Sequence, residues 1–374
     1  MRDGLEDVRA LLPGMTLTLI EGELGRSGRA SVRRVLADSV ALIVKTFTEP
    51  EPGWVRESAA LSVMPPGAPA PRLVAAGRTP PVVVMEDLGT GTCVADALLG
   101  ADPAVAADGV VSWAVAIASL HRATLGAREA FRTELHDRAR GTHVTDSPLA
   151  ENLDDAGRDL ARYCAELDVE VPAGALEQLG GLAARLGGDG ERGDGERGDG
   201  VRDGAAALTP ADACPDNNVR VGDGLVLIDF EGAQWRHVAW DVAYLMMPWP
   251  SCWCAWRMPN AVAERAVAAY RAAAGLSYVD SPEFDRDLAA AVAGWALMST
   301  SWFLPRAMAN EPPRPDRALI APTRRAIILY RLDVARRSPE LPALAELAGR
   351  LCEALVARWG DVALALAPAF RDPS

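Results

Sequence analysis

Residues 206–245 read AALTPADACPDNNVRVGDGLVLIDFEGAQWRHVAWDVAYL, and no other stretch says as much about how this chain folds. Two short apolar runs, NNVRV (217–221) and LVLID (225–229), flank GDG (222–224), a strong hairpin signal. With the turn centred on Asp223, Asn217 stands six residues before it and Asp229 six after. Both side chains then fall at the open end of the hairpin, about 5 Å apart across the strands. An amide oxygen and a carboxylate converging there make a hard oxygen site, suited to a Mg²⁺ that keeps water and phosphate ligands. Asp212 lies five residues before Asn217, in a loop stiffened by Pro210 and Pro215, where it can hang over the same end as a base. Asp and Asn also form ordinary turns, so each alone says little. The set points to chemistry.

A second stretch, VALIVKTF (40–47), holds Lys45, the only lysine in the chain. The other basic residues are all arginine. Strand alternation places Lys45 on the face of Ile43 and Phe47, away from Val44 and Thr46. A charge on an apolar face needs a partner. A compact ammonium differs from a guanidinium where a point charge must fit a tight site, as against phosphates. The plain alternative is an edge-strand lysine in a composition that favours arginine.

Around Lys45 the sequence predicts a three-strand meander over 15–47, built from MTLTLIEGEL, SVRRVLAD and SVALIVKTF, with the Gly-rich GRSGRA after the first strand. WVRESAALSVM (54–64) reads as a helix, and APRLVAAG (70–77) and PVVVMEDLG (81–89) as two further strands. From about residue 90 the texture turns helical, with helices expected over 92–100, 104–125, 150–167 and 173–186, and four or five more after 258. Residues 187–204, GGDGERGDGERGDGVRDG, repeat a polar unit without a core-forming residue except Val201 and read as a flexible surface insertion.

Composition bounds the function. The chain has 374 residues, 49% hydrophobic, enough for two or three domains or lobes. No uninterrupted apolar run approaches the ~18 residues of a membrane span. The N-terminal MRDGLEDVRALLPG lacks the apolar core of a signal peptide, so the expected location is cytoplasmic, with no membrane partner. A net charge of −13 argues against nucleic acid, whose phosphates need basic patches, and leans toward a cationic substrate. The six cysteines are scattered and read as reduced thiols. Cys252 and Cys254 form a C-x-C without a second pair or a nearby His, which argues against zinc.

The strand lysine, a helix glutamate twelve residues on, a strand ending in MEDLG, and D-x4-N followed by IDFEG together resemble the aminoglycoside phosphotransferase family. These are small-molecule kinases of the protein-kinase-like fold, and the resemblance runs from about residue 15 to 335. It implies an α+β, two-lobe protein-kinase-like fold: an N-terminal antiparallel sheet with one main helix over 1–88, and a mostly helical C-terminal lobe over 89–374. It further implies that Lys45 orients the nucleotide phosphates and pairs with Glu57. Met85 would back the adenine pocket, and Glu86, Asp87 and Leu88 would form the hinge. The GRSGR loop, with Ser27 at its centre, would cover the phosphates, although it is not a G-x-G-x-x-G. Asp212 matches the catalytic aspartate, Asn217 and Asp229 match the Mg²⁺ ligands, and Asp241 resembles the aspartate that braces the catalytic loop. His121, in LHRAT, reads as core.

One departure stands out: Pro210-Ala211 replaces the family's His-Gly before the catalytic aspartate, and Pro removes a backbone donor there. The reading implied is ATP- and Mg²⁺-dependent phosphorylation of a hydroxyl on a small molecule, with Asp212 accepting its proton. The alternative of another class is a pseudokinase that binds nucleotide without phosphotransfer. The tryptophan-rich stretch 248–256 reads either as a stacking wall for the acceptor or, preferably, as packing. The acceptor and the oligomeric state are not encoded in any motif.

Overall fold

The computed structural model describes residues 5–371 except 27–28, 143, 188–204, 250–251, 253 and 313–320, and leaves the side chains of residues 7 and 21–26 aside. Ser27 and nearly all of the polar insertion therefore lie outside the described residues. A short helix α1 (Glu6–Leu11) precedes strands β1 (Leu17–Arg26), β2 (Ala30–Ala37) and β3 (Val40–Phe47). Helix α2 (Val55–Ser62) and strands β4 (Leu73–Arg78) and β5 (Pro81–Glu86) follow, completing a five-stranded antiparallel sheet in the order β1-β2-β3-β5-β4.

The alternation of the strands divides this sheet between two cores. Ile43, Lys45 and Phe47 share a face with Val83 and Met85, because Lys45 pairs with Val83 and Ile43 with Met85. Apart from Lys45, these residues pack into or against the large core that continues through α2 into the helical portion. The intervening Leu42, Val44, Val82 and Val84 face the other way and build a smaller core with Leu5, Val8 and Leu12 from and beside α1. A one-residue slip in β3 would exchange the two sets and put Lys45 under α1.

The helical portion comprises α3 (Val94–Leu99), α4 (Pro103–Thr124), α5 (Arg128–Ala139), α6 (Leu149–Glu166), α7 (Ala175–Leu186), α8 (Ala239–Val242), α9 (Asn260–Ala274), α10 (Pro282–Met308), α11 (Arg324–Ala335) and α12 (Pro342–Trp359). Two two-stranded ribbons interrupt it: β6 (Ala206–Thr209) with β9 (Gln234–His237), and β7 (Asn218–Val221) with β8 (Gly224–Leu227). Helices α4 and α10 start cleanly for local reasons. Asp102 accepts from the Ala104 and Val105 amides and Ser281 from Phe284, each just ahead of a proline at the first helical position. Both helices are long and apolar enough to cross a bilayer by length and composition, and both are largely buried inside the fold. Their apolarity is that of core helices.

The mixed α+β architecture expected from the sequence is the one observed. The unforeseen elements are the short ones: α1, α5, and the four-residue strands β6 and β9, whose pairing spans 25 or more residues of sequence. One expectation needs correction. Val221 pairs with Gly224, so the hairpin turns between Gly222 and Asp223. Asn217 consequently faces Ile228, whose amide donates to the Asn217 carbonyl at 3.0 Å, and Asp229 lies one position beyond direct opposition. The physical reason is a two-residue turn, the tightest connection compatible with strand twist.

Far from the sheet, His237 is buried on β9. It accepts the Ala239 amide at Nδ1 (3.1 Å), so its Nε2–H faces the Tyr278 hydroxyl at 2.8 Å. Tyr278 donates in turn to Asp287, which Arg185 of α7 holds at 2.7 Å. Burial, helped by Arg185 and opposed by Asp287, pushes the His237 imidazole down to about 4. A folded value below the unfolded one means that protons favour the unfolded chain between the two. Unfolding free energy should therefore fall as pH drops from about 6.5 toward 4, by ~3 kcal/mol from this residue. Urea denaturation at pH 7, 5.5 and 4.5 should show that slope, and His237→Gln should flatten it.

Candidate active site

Lys45 is the centre of the site. Its Nζ lies 2.7 Å from Glu57 Oε2, 2.6 Å from Asp229 Oδ1 and 3.2 Å from Glu231 Oε2, and 4.9 Å from the Phe47 ring centroid. The side chain is 9% exposed and that of Glu57 2%. Helix α2 and the turn after β8 supply the carboxylates. Glu57 sits in the first turn of α2, whose start is tied to the sheet by the Trp54 indole donating to the Val82 carbonyl at 3.0 Å. Asp229 follows β8 in the left-handed region (φ 65°, ψ 66°), a conformation Asp tolerates better than most residues. That bend ends the strand. Glu231 follows in a single helical turn, Phe230–Gly232, and also meets Arg29 at 2.7 Å.

Burial works against the Lys45 ammonium, but Glu57, Asp229 and Glu231 outweigh it and hold its affinity for the proton above the ordinary lysine range. Burial, opposed by Lys45, pushes the Glu57 carboxyl up to about 7. The Asp229 side chain is 36% exposed and opens onto a cavity of about 590 Å³ that Asp212 and Glu231 also line. Three carboxylates stand against Lys45 and the mostly exposed Arg29. Such an excess of hard oxygen donors fits a divalent cation of the Mg²⁺ type.

The loop carrying Asp212 is held from beneath. Asn217 donates its amide hydrogen to the Asp212 carbonyl at 3.0 Å, which turns its Oδ1 the other way. Asn218 is buried and ties the hairpin to α3, accepting the Val94 amide at 3.0 Å while donating to the Pro215 carbonyl at 2.9 Å. Gly91 touches the same hairpin so closely that a Cβ there would meet the Arg220 carbonyl oxygen at 2.1 Å. Asp241 is fully buried. It accepts Arg236 Nη2 at 2.7 Å and faces His121 Nε2 at 3.1 Å, and His121 Nδ1 faces the Tyr270 hydroxyl at 2.9 Å. Burial alone would raise the Asp241 carboxyl, but Arg236 and His121 prevail and lower it. The same Arg236 Nη2 reaches the Ala211 carbonyl at 3.2 Å. An arginine thus links the loop to its buried aspartate from outside the loop.

Ala211 itself lies at φ +65°, which explains why a glycine suits this position. The left-handed region costs a Cβ-bearing residue ~1 kcal/mol and a β-branched one more. Urea denaturation of Ala211→Gly, wild type and Ala211→Val should rank them in that order of stability. Steps of about 1 kcal/mol are expected, reduced for glycine by its own chain entropy. An Ala211→Val protein as stable as wild type would contradict a strained loop.

Of the residues singled out from the sequence, the structure brings Lys45, Glu57 and Asp229 into contact, with Asp212 lining the same cavity. Asn217 touches Asp212 through its backbone. Met85 is buried on the Lys45 face of the sheet, and Glu86 ends β5 with its amide donating to the Arg72 carbonyl at 3.0 Å. Leu88 follows in a segment pinned by Arg34, which holds Asp87 at 2.7 Å and the Gly89 carbonyl at 3.1 Å. Glu231 was not anticipated, although its place two residues after Asp229 in IDFEG was a usable signal. The tryptophans of the cavity also come from elsewhere. Trp295 and Trp302, seven apart on α10 and therefore on one helix face, line it with Glu49 and Glu51. Trp249 is buried edge-on to Trp113 at 6.3 Å, which is packing, and Trp253 lies outside the described residues.

No protein-family model matches this chain, and no curated protein sequence matches it. Solved structures do. A choline/ethanolamine kinase family protein from Mesorhizobium loti is 15% identical, covers 90% of this chain and 94% of its own, and superposes with a TM-score of 0.51. An ethanolamine kinase from Plasmodium vivax shows 12% identity and a TM-score of 0.49 over 78% of this chain and 76% of its own. An aminoglycoside-3′-phosphotransferase of type VIII shows 20% and 0.44 over 81% and 99%. The first of these establishes the architecture: this chain has the protein-kinase-like fold of the small-molecule kinases, as its lysine, glutamate and D-x4-N residues led one to expect.

Proposed function

We propose that this protein transfers the γ-phosphoryl group of ATP to a hydroxyl of a small cationic acceptor. The observation that carries the reading is the convergence of Lys45, Glu57, Asp229 and Glu231 beside Asp212 at one cavity. Residues 1–88 would form the nucleotide-binding lobe, with adenine against Met85 and the backbone of 86–88, and 89–374 the lobe that holds the acceptor. Lys45 would exchange Asp229 and Glu231 for phosphate oxygens while Glu57 keeps it oriented. Asp229, Asn217 Oδ1 and Glu231 are the groups suited to hold Mg²⁺, which when bound neutralises charge on the phosphates. Asp212 would orient the acceptor hydroxyl and take its proton, and the buried Arg236–Asp241 brace would keep it in position.

Two features support a cationic acceptor. Glu49, Glu51, Glu231, Asp212 and Asp229 outnumber Arg29, Arg56 and Arg236 in the cavity lining, and the Trp302 ring, 39% exposed, stands edge-on to Trp295 at 5.9 Å. Carboxylates beside an accessible indole favour an amine or a quaternary ammonium. The structural neighbour named as a choline/ethanolamine kinase family protein is consistent with that chemistry.

ADP release from Mg²⁺·ATP, measured with choline, ethanolamine and a set of amino sugars, tests the proposal. Asp212→Ala should lower kcat by ~100-fold or more while nucleotide still binds. Turnover indifferent to Asp212→Ala would sink the reading, and nucleotide binding without any turnover would favour the pseudokinase alternative. Trp302→Ala should raise KM for cationic acceptors roughly 3- to 30-fold, leaving KM for ATP unchanged.

A further inference from the structure

Two cysteines distant in sequence, Cys214 and Cys252, meet Asp216 in the stretch that follows Asp212, and Cys254 stands against Cys252. The Cys214 and Cys252 sulfurs and a carboxylate oxygen of Asp216 all lie within 4.8 Å of one another. Cys252 Sγ is 3.6 Å from Asp216 Oδ1 and 2.7 Å from Cys254 Sγ. All three cysteines are buried, and none is in a disulfide. From sequence the C-x-C lacked a second ligand pair. The fold supplies one, Cys214 and Asp216, from the loop between β6 and β7.

Arg331 of α11 gives the independent indication of what this cluster holds. Its guanidinium is 1% exposed and donates to the Pro248 and Trp249 carbonyls. Among the described residues it forms no ion pair with a carboxylate, and the acidic groups that face it are Tyr244, Cys214 and Cys252. Neutral thiols leave that charge unmatched. So does a Cys252–Cys254 disulfide, which also strands Cys214. Thiolates on a metal ion supply the anion.

We propose that Cys214, Cys252, Cys254 and Asp216 bind one Zn²⁺ in a closed tetrahedral site. Three sulfurs and one oxygen are a donor set zinc accepts, and the absence of an open position marks the site as structural. Zn–S bonds of about 2.3 Å set sulfurs ~3.8 Å apart, so the Cys252–Cys254 pair opens by about 1 Å on binding. Three thiol protons leave to solvent as the ion enters. Four bonds then fasten the chain around 252–254 to the 214–216 stretch, between Asp212 and Asn217, where the loop lacks the His-Gly of related kinases. The ion takes no part in the phosphoryl-transfer step itself, and its capture requires no nucleotide.

Metal analysis of the protein purified without chelator, then given excess Zn²⁺ and desalted, tests this separately from any kinase activity. About one zinc per chain is expected in wild type and in Cys352→Ser, whose cysteine is buried elsewhere on α12. Cys214→Ser and Cys254→Ser should each bind zinc at least ten-fold more weakly in competition with a chromogenic chelator. Co²⁺ in place of Zn²⁺ should give the thiolate charge-transfer and intense d–d absorption of a tetrahedral site. In the native protein, alkylation of the three cysteines should be blocked by metal and released by chelator alone. Wild type that takes up no zinc, or cysteines released only by a reductant, would overturn the proposal, the latter in favour of a disulfide.

Discussion

The ion cluster around Lys45 joins parts of the chain that are otherwise independent. The ammonium leaves the sheet, one carboxylate comes from α2, and two come from the turn after β8. Lys45 and Glu57 are buried, and there a charge without partners is costly, as is a partner without its charge. Each element is therefore constrained by the others: β3 cannot slip in register, α2 cannot rotate, and the turn at Asp229 cannot relax out of its left-handed conformation without exposing an unmatched charge. The stability gained from such a cluster is small compared with what is lost on removing one member. Its value lies in positioning: under the proposed function, an ammonium already held among oxygens would receive phosphate oxygens in their place.

The second constraint is the buried network under the Asp212 loop. Pro210, two residues before Asp212, has no amide hydrogen with which to hold this loop. The support comes instead from Arg236, which contacts both Ala211 and Asp241, and from His121 and Tyr270 behind Asp241. A guanidinium can serve two acceptors in different directions, which a lysine could not do in the same plane. Within the same loop, Cys214 and Asp216 meet Cys252. The loop is thus held by interactions drawn from the helical portion.

Much of this organisation was legible in the chain. The strands of the sheet, the identity of the face carrying Lys45, the hairpin at 218–227 and the main helices follow from periodicity and turn chemistry that local sequence encodes. Lys45, Asp212, Asn217 and Asp229 could be picked out from residue type and spacing, and Glu57 from the family resemblance they carry. The four-residue strands β6 and β9 could not, since neither has enough residues to show a period. The register of the hairpin was missed by one residue because GDG admits a turn centred on the aspartate as well as one between Gly222 and Asp223.

What the sequence alone determined is the set of elements and the order of the chemical groups along them, because alternation, capping and turns act over a few residues. What only the tertiary structure decided is which distant groups share a space. Glu231 joins Lys45, Trp295 and Trp302 rather than the 248–256 tryptophans line the cavity, Arg236 reaches the Ala211 carbonyl, and Cys214 and Asp216 come to lie beside Cys252 of the C-x-C. Each of these pairings crosses tens to hundreds of residues or joins separate elements. Such contacts depend on how whole faces pack, and no local pattern records them.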